Sequence, residues 1–418
     1  MKRRGAIALL TAAALLLVAL LALRLALRPE FLGPHILALA GEALDLRIEA
    51  ESFDYRLRGT PQLVARDVVA RSRDGTDTLL TADRVLVSLP WSTLRSRGAE
   101  LVIERIELDA PVADLAALQR WWAARPPGDG RLPTLSNGLS VAGGRLLGDG
   151  WLVRDLALEL PSFAPGRRVR AHLRGRYVAG TLQAPFDLHA AMTRPAEDAG
   201  VGLAGAISPA AEGWRLPSAL VLSTRLAPAH AAGGMRLQRL RLSMRSRYLS
   251  GAVVEPFVLG LAAEGAVAEG ALSLRPAALV LRGGGLVPRL RARGAIGLGT
   301  ALALQLEGEL ARWPEAWPAL PPPVGGSASP LPFTLAYRGG MSLEDPLALR
   351  LERDDTRFDA RLRVSEIASW ADSLETGSPL PPLSGRLTAP RLEISGAVLH
   401  GVEVEFEDDT IPVPDEVP

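Results

Sequence analysis

After Gly41 the apolar residues of this chain recur at every second position, and that period decides most of what it can fold into. Leu240, Leu242 and Met244 alternate with Arg239, Arg241, Ser243 and Arg245. Leu302, Leu304 and Leu306 alternate with Ala303, Gln305 and Glu307, and Leu347, Leu349 and Leu351 repeat the arrangement. Phe358, Ala360, Leu362 and Val364 follow a polar turn at Asp354-Asp355-Thr356. Side chains of a strand point alternately to its two faces, so this spacing gives a sheet with one aliphatic face and one wet face. Leucine is a mediocre strand former, and here pattern outranks propensity. The 41 glycines and 33 prolines fit many short strands and turns better than helices.

Composition then removes whole classes of chemistry. Hydrophobic residues are 48% and charged residues 22% of the 418, which excludes a disordered chain. Aromatics are only 5%, so Leu, Ala and Val must supply most of the apolar burial. There is no cysteine, hence no disulfide, thiolate metal site or cysteine nucleophile. Lys2 is the one lysine, which excludes a P-loop, a kinase strand lysine and a pyridoxal Schiff base in the body of the chain.

The N-terminus reads as a membrane anchor, with a cleaved signal peptide as the alternative. Lys2, Arg3 and Arg4 precede an apolar run from Ala6 to Leu27 that only Thr11 and Arg24 interrupt. As a helix this run spans about 33 Å, enough for a hydrocarbon core. Basic residues on the short flank predict a cytoplasmic N-terminus, with everything after Arg28 across the membrane. A short helix is expected over Pro29 to Ala43 and another over Val112 to Ala124, where Leu115, Leu118, Trp121 and Trp122 fall at helical spacing.

Proline and glycine clusters predict the organisation: tip and anchor 1–28, a first region 29–124, a central β region 134–312, a linker 313–332, a second β region 333–410 and an acidic tail 411–418. A further pattern recurs, in which two small or polar residues separate an apolar position from an alternating pair. It occurs at Ala65–Ala70, Ile103–Leu108, Val153–Leu158, Leu237–Leu242 and Leu399–Val404. The extra residue shifts the phase by one, as a β-bulge does. Charge is uneven: the balance is +2 over residues 1–150, +10 over 151–300 and −11 over 301–418. The basic middle suits anionic headgroups or an acidic partner surface. Nothing interleaves bases with aromatics as nucleic-acid binding requires.

Catalytic signatures are missing from the sequence. His35, His172, His189, His230 and His400 show no metal-ligand spacing such as i, i+4, and each reads as a surface or strand residue. No G-x-S-x-G elbow occurs, and Gly294-Ala295-Ile296-Gly297-Leu298-Gly299 fails the dinucleotide pattern. The expectation is a protein with no catalytic residues, no metal and no cofactor.

The order of features resembles the AsmA-like family of inner-membrane-anchored periplasmic proteins of Gram-negative bacteria. The anchor runs into Ala40-Gly41-Glu42-Ala43-Leu44-Asp45-Leu46, similar to that family's exit from helix into first strand. Gly59-Thr60-Pro61-Gln62-Leu63 with Arg66-Asp67-Val68 follows, then Ala82–Val87, Leu94 and Ile103-Glu104-Arg105-Ile106-Glu107-Leu108-Asp109-Ala110-Pro111. The resemblance covers residues 1–111, with further family-type segments at Leu139–Leu160 and Leu383–Phe406. The chain is shorter than many members, and 165–345 matches no named pattern. The N component of type II secretion systems, another single-span periplasmic β protein, is a related possibility.

The resemblance implies a mainly β fold: a transmembrane helix, then an elongated, curved antiparallel β-sheet, groove- or taco-like, with a few short helices. It implies a role in outer-membrane and envelope biogenesis through binding or transfer of phospholipid or another envelope lipid. The alternative is a structural or assembly scaffold that contacts other envelope proteins. By parity the candidate lipid-groove residues are Leu240, Leu242, Met244, Leu302, Leu304, Leu306, Leu347, Leu349 and Leu351; the alternative for the same positions is a core closed by a second sheet or helix.

Overall fold

The computed structural model describes residues 41–42, 45–95, 102–124, 133–196, 198–228, 234–268, 270–317, 320, 324, 329–341, 343–373, 381–394, 397–408 and 410–411. The anchor run Ala6–Leu27, the expected Pro29–Ala43 helix except for Gly41 and Glu42, which are helical, and the tail after 411 lie outside them. Among the described residues no helix is long and apolar enough to cross a membrane. The chain is mainly β. It divides between Pro195 and Ala196 into two compact units, a boundary that none of the Pro/Gly clusters marks.

The first unit begins with β1 (Leu46–Glu49) and β2 (Ser52–Arg56), both paired to β3 (Gln62–Ser72). Then come β4 (Thr78–Ser88), helix α1 (Trp91–Arg95), β5 (Val102–Ile103), β6 (Arg105–Asp109) and β7 (Val112–Asp114). Helix α2 (Leu115–Ala124) and β8 (Thr134–Leu135) lead into a meander of β9 (Leu139–Gly148), β10 (Trp151–Leu160), β11 (Val169–Ala179) and β12 (Leu182–Met192). An all-antiparallel sheet was the expectation, and this unit corrects it. Strands β6 and β7 pair parallel to β9, and β5 pairs parallel to β8. A parallel joint needs a crossover of a dozen or more residues, and the segment holding α2 supplies it.

Helix α2 starts three residues later than its spacing predicts. Val112 and Ala113 pair with Arg145 and Leu146 instead, extending the sheet. The Asp114 carboxylate accepts a hydrogen bond from the Ala117 N–H at 2.8 Å and caps the helix.

The second unit is an antiparallel meander with one small hairpin, β14 (Ala210–Ala211) with β15 (Trp214–Arg215). Its long strands run β13 (Gly200–Ile207), β16 (Ser218–Pro228), β17 (Met235–Ser250), β18 (Val253–Ala268), β19 (Ala271–Arg282), β20 (Arg289–Leu298) and β21 (Leu302–Arg312). They continue as β22 (Leu331–Gly339), β23 (Leu347–Arg353), β24 (Thr356–Leu362), β25 (Leu383–Ile394) and β26 (Ala397–Phe406). Strand β24 stops at Leu362, short of Val364. Arg363 stays extended, and Val364 opens helix α3 (Val364–Asp372), which sequence periodicity did not disclose.

The recurring pattern marks where strands kink. Its third residue, Asp67, Asp155, Arg239 or Gly401, has a left-handed backbone with φ of 50°, 55°, 51° and 64°. In the remaining copy the strand breaks at Glu104 into β5 and β6. Pairing slips by one between Val153 and Leu156 and between Leu237 and Leu240, as an inserted residue requires. Aspartate and glycine tolerate this conformation; arginine gains nothing from it. Arg239→Gly is therefore expected to raise the unfolding free energy by about 0.5 kcal/mol in chemical denaturation. The backbone bond from Arg239 N–H to Glu264 would survive the exchange.

Candidate functional site

Cross-strand register assembles the leucines of the second unit into continuous rows. One row runs Leu203, Leu222, Leu242, Leu261, Leu279, Ala292, Gly308, Phe333, Leu351, Phe358, Leu387 and Val404, one residue from each strand from β13 and β16 to β26. Glycine occupies position 308 because a Cβ there would collide with the Arg291 carbonyl. Flanking rows hold Leu240, Met244, Leu304, Leu306, Leu335, Leu347 and Leu349. All nine candidate residues therefore share one face of the sheet.

That face is covered at one end and less so at the other. Over β21 to β25 it is a closed core in which Leu331 and Leu351 are 0% exposed. The cover comes from the segment between β21 and β22, where Trp313, Leu320 and Val324 pack onto the cluster, and from Ile367 of α3. Composition marks 313–332 as a linker, yet its apolar residues make it a strap. Arg353, 7% exposed, fastens it by donating to the carbonyls of Val324 at 2.8 Å and Ser329 at 2.6 Å. The Trp317 indole N–H donates to the Leu286 carbonyl at 2.9 Å.

Over β17 to β20 the buried cluster is small: Leu240, Ala263, Leu274 and Ala277. The partly buried residues packed against it, Leu237, Leu261, Leu272 and Ile296, come from the same strands. Of the nine candidates, Leu240, Leu306 and Leu351 are buried, while Leu242, Met244, Leu302, Leu304, Leu347 and Leu349 are half-buried. Leu306 and Leu351 belong to the closed core, and Leu349 packs against it.

The opposite, wet face changes character along the same strands. Its C-terminal part is a ladder of opposite charges in which Arg293 pairs with Glu307, Arg350 with Asp359 and Arg386 with Glu405. Exposed pairs of this kind contribute about 0–1 kcal/mol each. Its N-terminal part is basic. Arg282 faces Arg289, which faces Arg312, and like charges directly opposite on neighbouring strands repel. Arg245, Arg247 and Arg282 line a cavity of about 600 Å³ beside Pro256 and Val258. Among the described residues no ion pair engages Arg241, Arg245, Arg247, Arg282, Arg289, Arg291 or Arg312.

A third grouping was hidden by sequence distance. Strands β11 and β12 pair without a slip from Val169↔Met192 to Ala179↔Leu182, which sets His172 directly opposite His189. The two rings stack at 4.2 Å. Asp187, on the same face two residues before His189, accepts a hydrogen bond from His172 Nε2 at 2.6 Å. That bond holds the Asp187 carboxyl below its usual value. The cue in the sequence was symmetry: both histidines lie eight residues from the Gly180-Thr181 turn. No ligand spacing within one element could show it.

No family model, no curated protein and no solved structure matches this chain.

Proposed function

We propose that this chain is a non-enzymatic protein of the AsmA-like type, anchored in the inner membrane with its N-terminus cytoplasmic and its bulk periplasmic. Its role is to support outer-membrane and envelope biogenesis by holding or passing phospholipid along the leucine rows of the second unit. The observation that carries this reading is the uneven cover of one continuous aliphatic face. Leu203, Leu222, Leu242, Leu261 and Leu279 keep part of their surface in water, while the same row from Phe333 to Leu387 is buried. Whatever aliphatic surface these half-buried side chains leave in water costs about 25 cal/mol per Å², and acyl chains would relieve it. The basic flank Lys2-Arg3-Arg4 and the Ala6–Leu27 run support the location.

A second reading has its own support. The unpaired arginines lie on the wet face, away from the leucine rows, and suit an acidic surface of another envelope protein. One experiment separates the two. A photo-crosslinking residue is placed at Leu242 on the aliphatic face or at Ser243 on the wet face of the full-length chain, and cells are irradiated. Phospholipid adducts at 242 and none at 243 are expected. Protein adducts at 243 with no lipid at 242 would replace the lipid reading with the scaffold.

A further inference from the structure

We propose that His172, His189 and Asp187 form a binding site for a single late first-row divalent cation, with zinc as the representative ion. Their ligand atoms, two imidazole nitrogens and a carboxylate oxygen, all lie within 4.8 Å of one another. Around one zinc ion such atoms sit about 3.3–3.5 Å apart, given bonds of about 2.0–2.1 Å. The closure needed is the size of a side-chain rotation, with no movement of the backbone.

The backbone is the reason the set is organised. Eleven consecutive residue pairs hold β11 against β12 in a single register, so the cross-strand histidines cannot drift apart without breaking the ladder. Asp187 and His189 project from the same strand to the same face, as any i, i+2 pair does. His172 is the half-buried member of the set, and Asp187 and His189 are exposed. That arrangement leaves an outward position for water, the coordination number being completed from solvent.

The surrounding charge is compatible with a cation. Glu159 lies opposite His172 on β10 and adds a second carboxylate beside the site. Arg174, opposite Asp187, is the adverse group; its guanidinium lies 3.7 Å from Glu159. Imidazole–carboxylate sets of this kind select zinc, copper or nickel over magnesium or calcium, which prefer all-oxygen cages. A bound ion would staple β11 to β12 across the middle of the hairpin and add stability in proportion to its occupancy.

The test is a Zn²⁺ titration by calorimetry, using full-length chain in detergent micelles and carrying no histidine tag, with Co²⁺ absorption as a second probe. The expected result is one ion per chain with micromolar affinity and a tetrahedral Co²⁺ spectrum. Affinity should fall by roughly tenfold or more in His172→Ala and in His189→Ala, and be unchanged in His400→Ala. Asp187→Asn should weaken binding while far-UV circular dichroism stays native. Thermal stability should rise on adding Zn²⁺ in the wild-type chain and not in the His172→Ala/His189→Ala double variant. Equal binding by wild type and that double variant would overturn the assignment, as would a wild-type chain that takes up no Zn²⁺ at all.

Discussion

Leu351→Ala should cost about 3–4 kcal/mol of unfolding free energy, whereas Leu242→Ala, on the same row six strands earlier, should cost about 1 kcal/mol. Both substitutions delete the same atoms. Leu351 is 0% exposed and lies in the cluster that also holds Val324, Leu331, Phe333 and Phe358, so its removal leaves a cavity that fixed neighbours cannot fill. Leu242 is half-buried between Leu222 and Leu261, and truncation there returns space to solvent. Chemical denaturation of the full-length chain measures both. Equal costs of about 3 kcal/mol at the two positions would mean that the row is sealed along its whole length, and would remove the basis for a lipid surface.

The contrast also explains what could be read in advance. Strands with one dry and one wet face announce themselves by alternation, which is why the eight leucines and Met244 fall on a single face. The kinks at Asp67, Asp155, Arg239 and Gly401 were legible for the same reason, because an inserted residue breaks a strict period. What covers the face was not legible. Residues 313–332 are rich in proline and glycine, a composition that linkers share with irregular straps. Only the burial of Trp313, Leu320 and Val324, and the hydrogen bonds from Arg353, distinguish the two.

Pairing across strands is the other quantity that local pattern lacks. The parallel joint of β6 and β7 with β9 depends on where a crossover returns, not on any period. Likewise Val112 and Ala113 suit either a helix or a strand, and a partner strand at Arg145 and Leu146 decides between them. The site of His172 and His189 belongs to this class, since two residues far apart in sequence meet only once a hairpin sets their register.

Leu242→Glu carries the largest functional effect, a drop of roughly tenfold or more in phospholipid captured per chain, with the fold retained. A carboxylate set among acyl chains must either be desolvated or be neutralised, and both cost several kcal/mol relative to a leucine contact. In the lipid-free protein the same side chain sits half in water between Leu222 and Leu261 and can turn its charge outward, so the loss of stability should be about 1–2 kcal/mol. The matched control is Ser243→Glu on the wet face, which should leave lipid capture and stability unchanged. Lipid recovered after gentle extraction and quantified by mass spectrometry, alongside a denaturation curve for each variant, reads both quantities. If Leu242→Glu unfolds the chain as a carboxylate at Leu351 would, then position 242 is packed core and the rows carry no lipid. If the variant is stable and its lipid content matches wild type, lipid rests elsewhere on the molecule and the arginine face becomes the surface that defines its role.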